Sequence, residues 1–373
     1  MKNEKYQICK RCIMDTTDSE IVFDAEGNCN HCNDALARKN DSWKPNKEGE
    51  ERLLKIVDRI KKEEKNKEYD CVLGLSGGVD SSYMAYKAHE LGLRPLVVHV
   101  DCGWNSELAV KNIENIITML GFELHTHVVD WQEMKDLQLA YFKANVANQD
   151  VPQDHAIFAA LYSFAVKNNI KYVLNGSNFA TESILPKTWG YGASDLVNLK
   201  DIHKKFGKKK LKKFPKVSFF KWYIYFPFIR KMKILKILNL LPYSKDEAIE
   251  VMKKEIGWQY YGGKHHESRF TKFFQAYYLP TKFGYDKRRA HLSSLIVSNQ
   301  LSREEALKEM EIEIYPNNSH IDDMEFVAKK LGVSLSEFEK IIQMPNKSYD
   351  DYKNIEKWFS FGMKVRDYFK KDV

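Results

Sequence analysis

The densest chemistry in the chain lies in Leu73-Gly-Leu-Ser-Gly-Gly-Val-Asp-Ser-Ser82. The apolar run Tyr69–Leu75 leads into it and reads as a buried parallel strand, and Ser81–Leu91 reads as a helix. A strand, a tight Gly-Gly turn and a helix start bring backbone N–H groups together on an anion, and the helix dipole favours negative charge there. Gly77, Gly78 and Val79 supply that backbone. Ser76 and Ser81 add hydroxyl donors. Asp80 is a carboxylate at a phosphate site, which is sensible when Mg²⁺ lies between the two. A second set of residues points to a metal. Cys9-x-x-Cys12 and Cys29-x-x-Cys32 are separated by 16 residues, the two-knuckle spacing of a tetrahedral Cys₄ zinc site. Four thiolates leave no open position, so the expected role is structural, in a module too small to fold without metal. An iron–sulfur cluster is the alternative. His31 stands between two of the ligands.

The phosphate loop has no G-x-x-x-x-G-K-[ST] spacing and no Lys, so it is not a Walker A loop. Ser76-Gly-Gly-Val-Asp-Ser81 resembles the PP-loop of the ATP pyrophosphatases. That resemblance implies cleavage of ATP between its α and β phosphates, adenylation of a carbonyl oxygen, and displacement of AMP by a nucleophile. Such cleavage builds negative charge on the leaving pyrophosphate, which Lys, Arg and Mg²⁺ stabilise. Gly262-Gly-Lys-His-His-Glu-Ser-Arg-Phe-Thr-Lys272 provides Lys264, Arg269 and Lys272 for that task, on adjoining helix faces. Lys282, Asp286, Lys287, Arg288, Arg289 and His291 follow. The plainer alternative for both blocks is a solvated, charged helical face.

Strands and helices alternate around the loop. Strands are expected at 71–75, 95–100, 124–129 and 172–174, with helices at 81–91, 106–120, 134–147 and 154–167. This pattern predicts an α/β fold with a doubly wound parallel sheet of the PP-loop (adenine nucleotide alpha hydrolase-like) type. Ligands of such sheets lie beyond the carboxyl ends of the strands. Asp101 and Asn175-Gly176-Ser177-Asn178 occupy those ends. Asp101 reads either as a Mg²⁺ or nucleotide contact or as a helix cap. Asp154 and His155 open an apolar helix as substrate contacts, or Asp154 simply caps it. Glu182 is either substrate-facing or exposed.

The predicted domains are a zinc clip at 1–45, the nucleotide domain at 46–201, a basic and aromatic insertion at 202–245, and a helical C-terminal region at 246–373. Lys47–Lys67 reads as an amphipathic linking helix, and Asp24–Gly27 as a hairpin turn. Ser244-Lys-Asp-Glu247 and Ser302-Arg-Glu-Glu305 look like capping boxes. Tyr349–Lys371 reads as an amphipathic helix.

The formal net charge of +8 arises in one place. Residues 202–245 hold 14 Lys/Arg and no Asp or Glu, while the remainder has 45 Lys/Arg against 51 acids. A nucleic-acid binder would spread its basic residues more broadly, so nucleic acid is not the expected partner. Segment 204–241, with its Phe, Tyr and Trp, is expected to dock a protein partner or an anionic membrane surface, or else to form a core helix hairpin under a solvated Lys run. No apolar run reaches the length of a membrane span, and Met1–Cys12 has no apolar stretch of a signal peptide. A cytoplasmic, reducing setting with free thiols is therefore expected.

Taken together, the chain resembles the N-acetyl sugar amidotransferase family of PP-loop enzymes, which serve bacterial lipopolysaccharide and flagellin-glycan biosynthesis. The resemblance rests on Cys9-Lys-Arg-Cys-Ile-Met-Asp15 with its second Cys pair, Ser76–Ser81 and His99-Val-Asp-Cys-Gly-Trp-Asn105. It rests further on Asn175–Asn178, Gly257-Trp258, Tyr261–Gln275, Leu279-Pro280 and Asp286–Ser294. It implies an ATP-, Mg²⁺- and Zn²⁺-dependent enzyme that converts the N-acetyl group of a nucleotide-linked sugar to an acetamidino group. Ser76–Ser81 would hold pyrophosphate. Asp80, with Asp101 as a second candidate, would hold Mg²⁺, and Lys264, Arg269 and Lys272 the developing charge. It also implies a glutaminase subunit and a cyclase-like barrel subunit as the source of ammonia. A tRNA-modifying PP-loop enzyme (thiolase or lysidine-type) is the rival reading, and a non-catalytic nucleotide-binding scaffold the third.

Overall fold

The computed structural model describes residues 6–190, 192–262 and 267–356. Lys264 and the predicted tail helix beyond residue 356 lie outside them. Chain order begins with α1 (Asn30–Ser42) and α2 (Lys47–Glu63). The nucleotide domain follows as β1 (Cys71–Gly74), α3 (Val79–Glu90), β2 (Pro95–Asp101), α4 (Glu107–Leu120), β3 (Glu123–Val128), α5 (Trp131–Ala144), α6 (Val151–Lys167) and β4 (Tyr172–Leu174). After it come α7 (Phe179–Glu182), α8 (Leu196–Phe206), a π-helix (Lys221–Ile229), β5 (Lys233–Leu235), α9 (Lys245–Ile256) and α10 (Arg269–Phe273). A second π-helical stretch (Phe274–Phe283) leads to α11 (Lys287–Val297), α12 (Arg303–Glu311), α13 (His320–Leu331) and α14 (Leu335–Gln343).

The five strands form one parallel sheet in the order β3-β2-β1-β4-β5. Both faces are covered, and the alternation of the strands decides which residue faces which layer. Val72, Leu96, Val98 and Val173 join the core beneath α5 and α6. Cys71, Leu73, Val97, Tyr172 and Leu174 join the core shared with α2, α3, α4 and α9. The chain winds outward in both directions from β1, so the crevice between the carboxyl ends of β1 and β4 is the topological switch point. The phosphate loop follows β1 and Asn175–Asn178 follows β4.

Residues 202–245 are not an insertion beside the sheet. They furnish its edge strand β5, and Phe214, Val217, Phe226, Met232, Ile237 and Leu238 are buried. Nor do they form a helix hairpin. Two carboxylates of α5 hold the backbone of the Lys run. Asp136 accepts from the Lys208 and Lys209 amides, and Glu133 from those of Lys213 and Phe214.

The predicted capping box at Ser302 is present, with both reciprocal bonds to Glu305. At Ser244 there is none: its side chain makes no cap bond to α9. The tail expected to be helical from Tyr349 shows one 3₁₀ turn, Tyr349–Asp351, then a non-helical stretch at 352–355, and turns helical at Glu356, where the described residues end.

The zinc clip takes the expected form. Asp24 and Asn28 close a turn with Gly27 at φ +84°, and Phe23 bridges to Cys29. The clip is clamped to the C-terminal region. Arg303 donates to the carbonyls of Cys9 and Cys12, Arg289 pairs with Asp15 at 3.0 Å, and the Ile13 amide donates to the Ser293 hydroxyl.

Candidate active site

The loop Ser76–Ser81 turns on Gly77, which sits at φ +83°. A Cβ there would lie 2.7 Å from the Ala109 carbonyl oxygen, so a side chain would break the approach of α4. The Ser76 and Ser81 hydroxyls lie 3.0 Å apart, and the Gly78 amide donates to the Ser76 hydroxyl. Gly176, at the end of β4, lets that strand's loop close on the loop backbone. A Cβ there would stand 3.3 Å from the Ser81 nitrogen.

Asp80 heads α3, and its Oδ1 accepts hydrogen bonds from the Tyr243 hydroxyl and from the Asn178 amide at 3.1 Å. Asn178 also caps α7 through the Thr181 amide. Tyr243 was not foreseen. No motif marks it, and it reaches Asp80 only because the chain leaving β5 passes behind α3. Burial, then the Asp80 charge, holds its phenol well above the usual range.

Two more aromatic residues reach the loop from the segment after α9. Trp258 donates to the Gly77 carbonyl and Tyr261 accepts from the Val79 amide. Just beyond, Asn105 bridges to Ser268, and the Ser106 amide donates to the Glu267 carbonyl, so this strap is tied to the end of β2. Asp101 closes a turn there, accepting from the Gly103 amide at 2.7 Å and from Asn105. His99 donates through Nδ1 to the Leu75 carbonyl and accepts from Asn105 at Nε2, linking the ends of β1 and β2. Lys330 of α13 reaches across to the Gly103 carbonyl over the rings of Trp104 and Trp131.

One cavity opens at this crevice, and a second lies among the start of α9, the second π-helical stretch, α11 and α12. The first, of about 170 Å³, is lined by Ser76, His99, Asn175 and Gly176 at the strand ends and by Phe158 and Tyr162 of α6. Polar strand ends against an apolar and aromatic wall suit a nucleotide base and ribose. Cys102 lines it, and burial raises its thiol pKa, which disfavours a reactive thiolate. The other, of about 310 Å³, is lined by Thr181, Lys272, Gln275, Lys287, Arg288 and His291 among others.

Asp154 lines neither cavity. Its neighbours Gln153 and Ile157 line the smaller cavity, while its charge partners include Lys287 of the larger. Burial, followed by the Asp150 carboxylate, pushes Asp154 up to about 8. Lys287 pairs with Asp150 at 3.3 Å.

The other candidates divide. Lys272, Arg288 and His291 line the larger cavity, with Arg288 also held by Asp286 at 2.7 Å. Glu182 is exposed. Arg269, expected at the phosphates, is instead bound to Asp323 at 2.7 Å and lies over the Phe326 ring. Lys282 donates to the Ile342 and Met344 carbonyls and secures the end of α14. Arg289 serves the zinc clip. His155 is fully buried, donates to the Ala193 carbonyl and accepts from the Val217 amide, and burial lowers its pKa. It is a neutral structural histidine and not a substrate contact.

The four clip thiols are buried and lie within 4.8 Å of one another. The Cys9–Cys32 and Cys12–Cys29 sulfur distances are 3.7 and 3.6 Å. A tetrahedron with Zn–S bonds of about 2.3 Å has edges near this length, so the set fits a single zinc ion. Amides of Cys12 and Cys29 donate to the Cys9 sulfur, which offsets thiolate charge. His31 is bound to Asp18 at 2.5 Å and is not a ligand.

Residues 52–217 match the NAD synthase family model, and residues 267–366 match the model described as LPS biosynthesis protein WbpG-like, C-terminal domain. The chain joins an NAD synthase-type PP-loop domain to a WbpG-like C-terminal domain. This pairing fits the N-acetyl sugar amidotransferase resemblance. The PP-loop domain implies use of ATP with Mg²⁺ and an enzyme of the ATP-dependent C–N ligase type. Among solved structures, the NMN synthetase from Francisella tularensis is similar at 17% identity, over 64% of this chain and 95% of that one, with a TM-score of 0.31. The NH3-dependent NAD synthetase from Campylobacter jejuni, in complex with the nitrate ion, is similar at 19% identity. It covers 54% of this chain and 82% of that one, with a TM-score of 0.30. No curated protein matches the chain. No helix among the described residues is long and apolar enough to cross a membrane.

Proposed function

We propose that the protein adenylates the carbonyl oxygen of an N-acetyl group on a nucleotide-linked sugar and replaces that oxygen with ammonia, forming an acetamidino group. The observation that carries this reading is a pair of cavities, one at the strand ends and suited to a nucleoside, the other lined by Lys272, Lys287, Arg288 and His291. The cations of the larger cavity suit the phosphates of a nucleotide sugar.

An amide carbon is a weak electrophile, and its oxygen is a poor leaving group. Attack of that oxygen on the α-phosphorus breaks the α–β bridge of ATP and releases pyrophosphate, while the amide N–H proton goes to a base. Ammonia then adds to the imidate carbon, AMP leaves with the C–O bond, and a proton from nitrogen is lost. Both steps shed a proton to a base. Amides and hydroxyls of Ser76–Ser81 orient the phosphates and oppose the growing charge. Asp80, with Asp101 nearby, would hold Mg²⁺, which offsets charge on the leaving pyrophosphate. Ammonia would come from a glutaminase subunit working with a cyclase-like barrel subunit.

The test is purified protein with ATP, Mg²⁺, ammonium and a panel of UDP-, GDP- and CMP-linked N-acetyl sugars. AMP release together with the mass change of replacing O by NH supports the proposal. AMP release with tRNA alone would overturn it.

A further inference from the structure

Outside the site, one surface of the described residues combines exposed apolar side chains with an excess of lysines, two of which, Lys213 and Lys233, also pair with Asp130 and Glu63. It is the outward side of the π-helix Lys221–Ile229. Its inward side is fixed: Phe226 is buried, and Trp222 packs on Phe158 and Tyr162 at ring distances of 5.8 and 5.4 Å. The outward side is also apolar. Phe220, Ile224, Phe228 and Ile229 are 56, 40, 70 and 57% exposed. The first three recur at intervals of four, so they stand on nearly one face. Ile234, on the edge strand β5, is a further exposed apolar residue. Contiguous apolar surface of this kind marks an interaction site. Lys212, Lys213, Lys221, Lys231, Lys233 and Lys236 are exposed around it.

We propose that this face seats the protein on an anionic lipid surface. Charge selects the occupant. A second copy would bring the same cations face to face. A protein partner would favour Arg over Lys at the contact, whereas 13 of the 14 cations between 202 and 245 are Lys. Lysines around aromatic and aliphatic residues at the headgroup boundary are what an anionic bilayer attracts. With no helix able to cross a membrane among the described residues, the contact is peripheral. It also lies one side-chain layer from the nucleotide cavity, because Phe158 and Tyr162 line that cavity on their other side.

The test is co-sedimentation of the full chain with phosphatidylcholine vesicles with and without phosphatidylglycerol, at low and high salt. Binding is expected only to the anionic vesicles and is expected to weaken with salt. The pair Phe220→Ser and Phe228→Ser should lower partition by about tenfold or more, and Lys231→Glu with Lys233→Glu by about fivefold or more per site. Both variants should keep the wild-type melting temperature and ATP affinity. Absence of binding, equal binding to neutral vesicles, or unchanged binding by both variants would overturn the proposal. So would a wild-type dimer, seen by light scattering, that the Phe variants convert to monomer.

Discussion

The Tyr261 hydroxyl accepts a hydrogen bond from the Val79 amide at 3.1 Å, and so occupies one of the N–H groups at the head of α3. The same strap brings the Glu267 carboxylate to 3.1 Å from where a side chain on residue 78 would begin. An oxygen ligand and an anion thus already stand where phosphate oxygens are expected. Nucleotide entry must move them.

Tyr261→Phe removes the competitor for that amide. We expect pyrophosphate and ATP to bind about three- to tenfold more tightly, the range of one neutral hydrogen bond. Isothermal titration with each ligand checks this. Weaker binding by the variant would instead make the hydroxyl a donor to phosphate.

Tyr243 and Asn178 fix one oxygen of Asp80, so the carboxylate cannot turn freely. Asp80→Asn should abolish Mg²⁺-dependent AMP release while leaving the melting temperature nearly unchanged. Tyr243→Phe should keep activity but raise the Mg²⁺ concentration for half-maximal rate by about tenfold, a charge-assisted hydrogen bond being worth on the order of 1.5–3 kcal/mol. A Mg²⁺ titration of AMP release separates the two. An unchanged Mg²⁺ requirement in Tyr243→Phe would remove that residue from the site.

The four-cysteine clip lines neither of the two cavities, yet its first knuckle is bound to α11 and α12 through Ser293, Arg289 and Arg303. Helix α11 carries Lys287, Arg288 and His291. Metal removal by a chelator, or Cys29→Ser, should therefore unfasten α11. The expected result is one zinc per chain in the wild type and faster amide exchange along α11 after chelation. Affinity for the ligand of the larger cavity should fall more than affinity for ATP. Protection of α11 that survives metal loss would show the clip to be independent of the site.

Much of this was legible where the signal is local. Strands β1, β2 and β4 alternate between two buried layers, so short apolar runs between polar ends revealed them, while β3, a half-exposed edge strand, was legible from its place in the strand–helix alternation. The two C-x-x-C pairs fixed the clip, and Ser302 with Glu305 fixed a helix start. What escaped depends on distant partners. Strand β5 is three residues at a sheet edge, flanked by Lys, with Lys233 and Ile234 exposed, and no pattern that short separates strand from loop. Arg269 was read toward phosphate because nothing local announces Asp323, 54 residues later. Lys282 and His155 satisfy carbonyls and amides, partners that leave no trace in composition. Tyr243 and Tyr261 carry no motif spacing and reach the loop only through the path of the chain after β5 and α9.

Asp154 gives the fold a pH signature. Burial and the nearby Asp150 raise its pKa to about 8, with Lys287 opposing the shift and Glu182 adding to it. In the unfolded chain the group titrates near 4. Between these values the folded state binds a proton that the unfolded state has released, so stability falls as pH rises, by at most about 1.4 kcal/mol per pH unit. Below pH 4 both states are protonated and the effect vanishes. Thermal melts from pH 5 to 9 should show a melting temperature that declines across this window in the wild type. The decline should be markedly shallower in Asp154→Asn, which carries no charge to bury. A melting profile of Asp154→Asn parallel to wild type would mean that folding does not raise the pKa of Asp154.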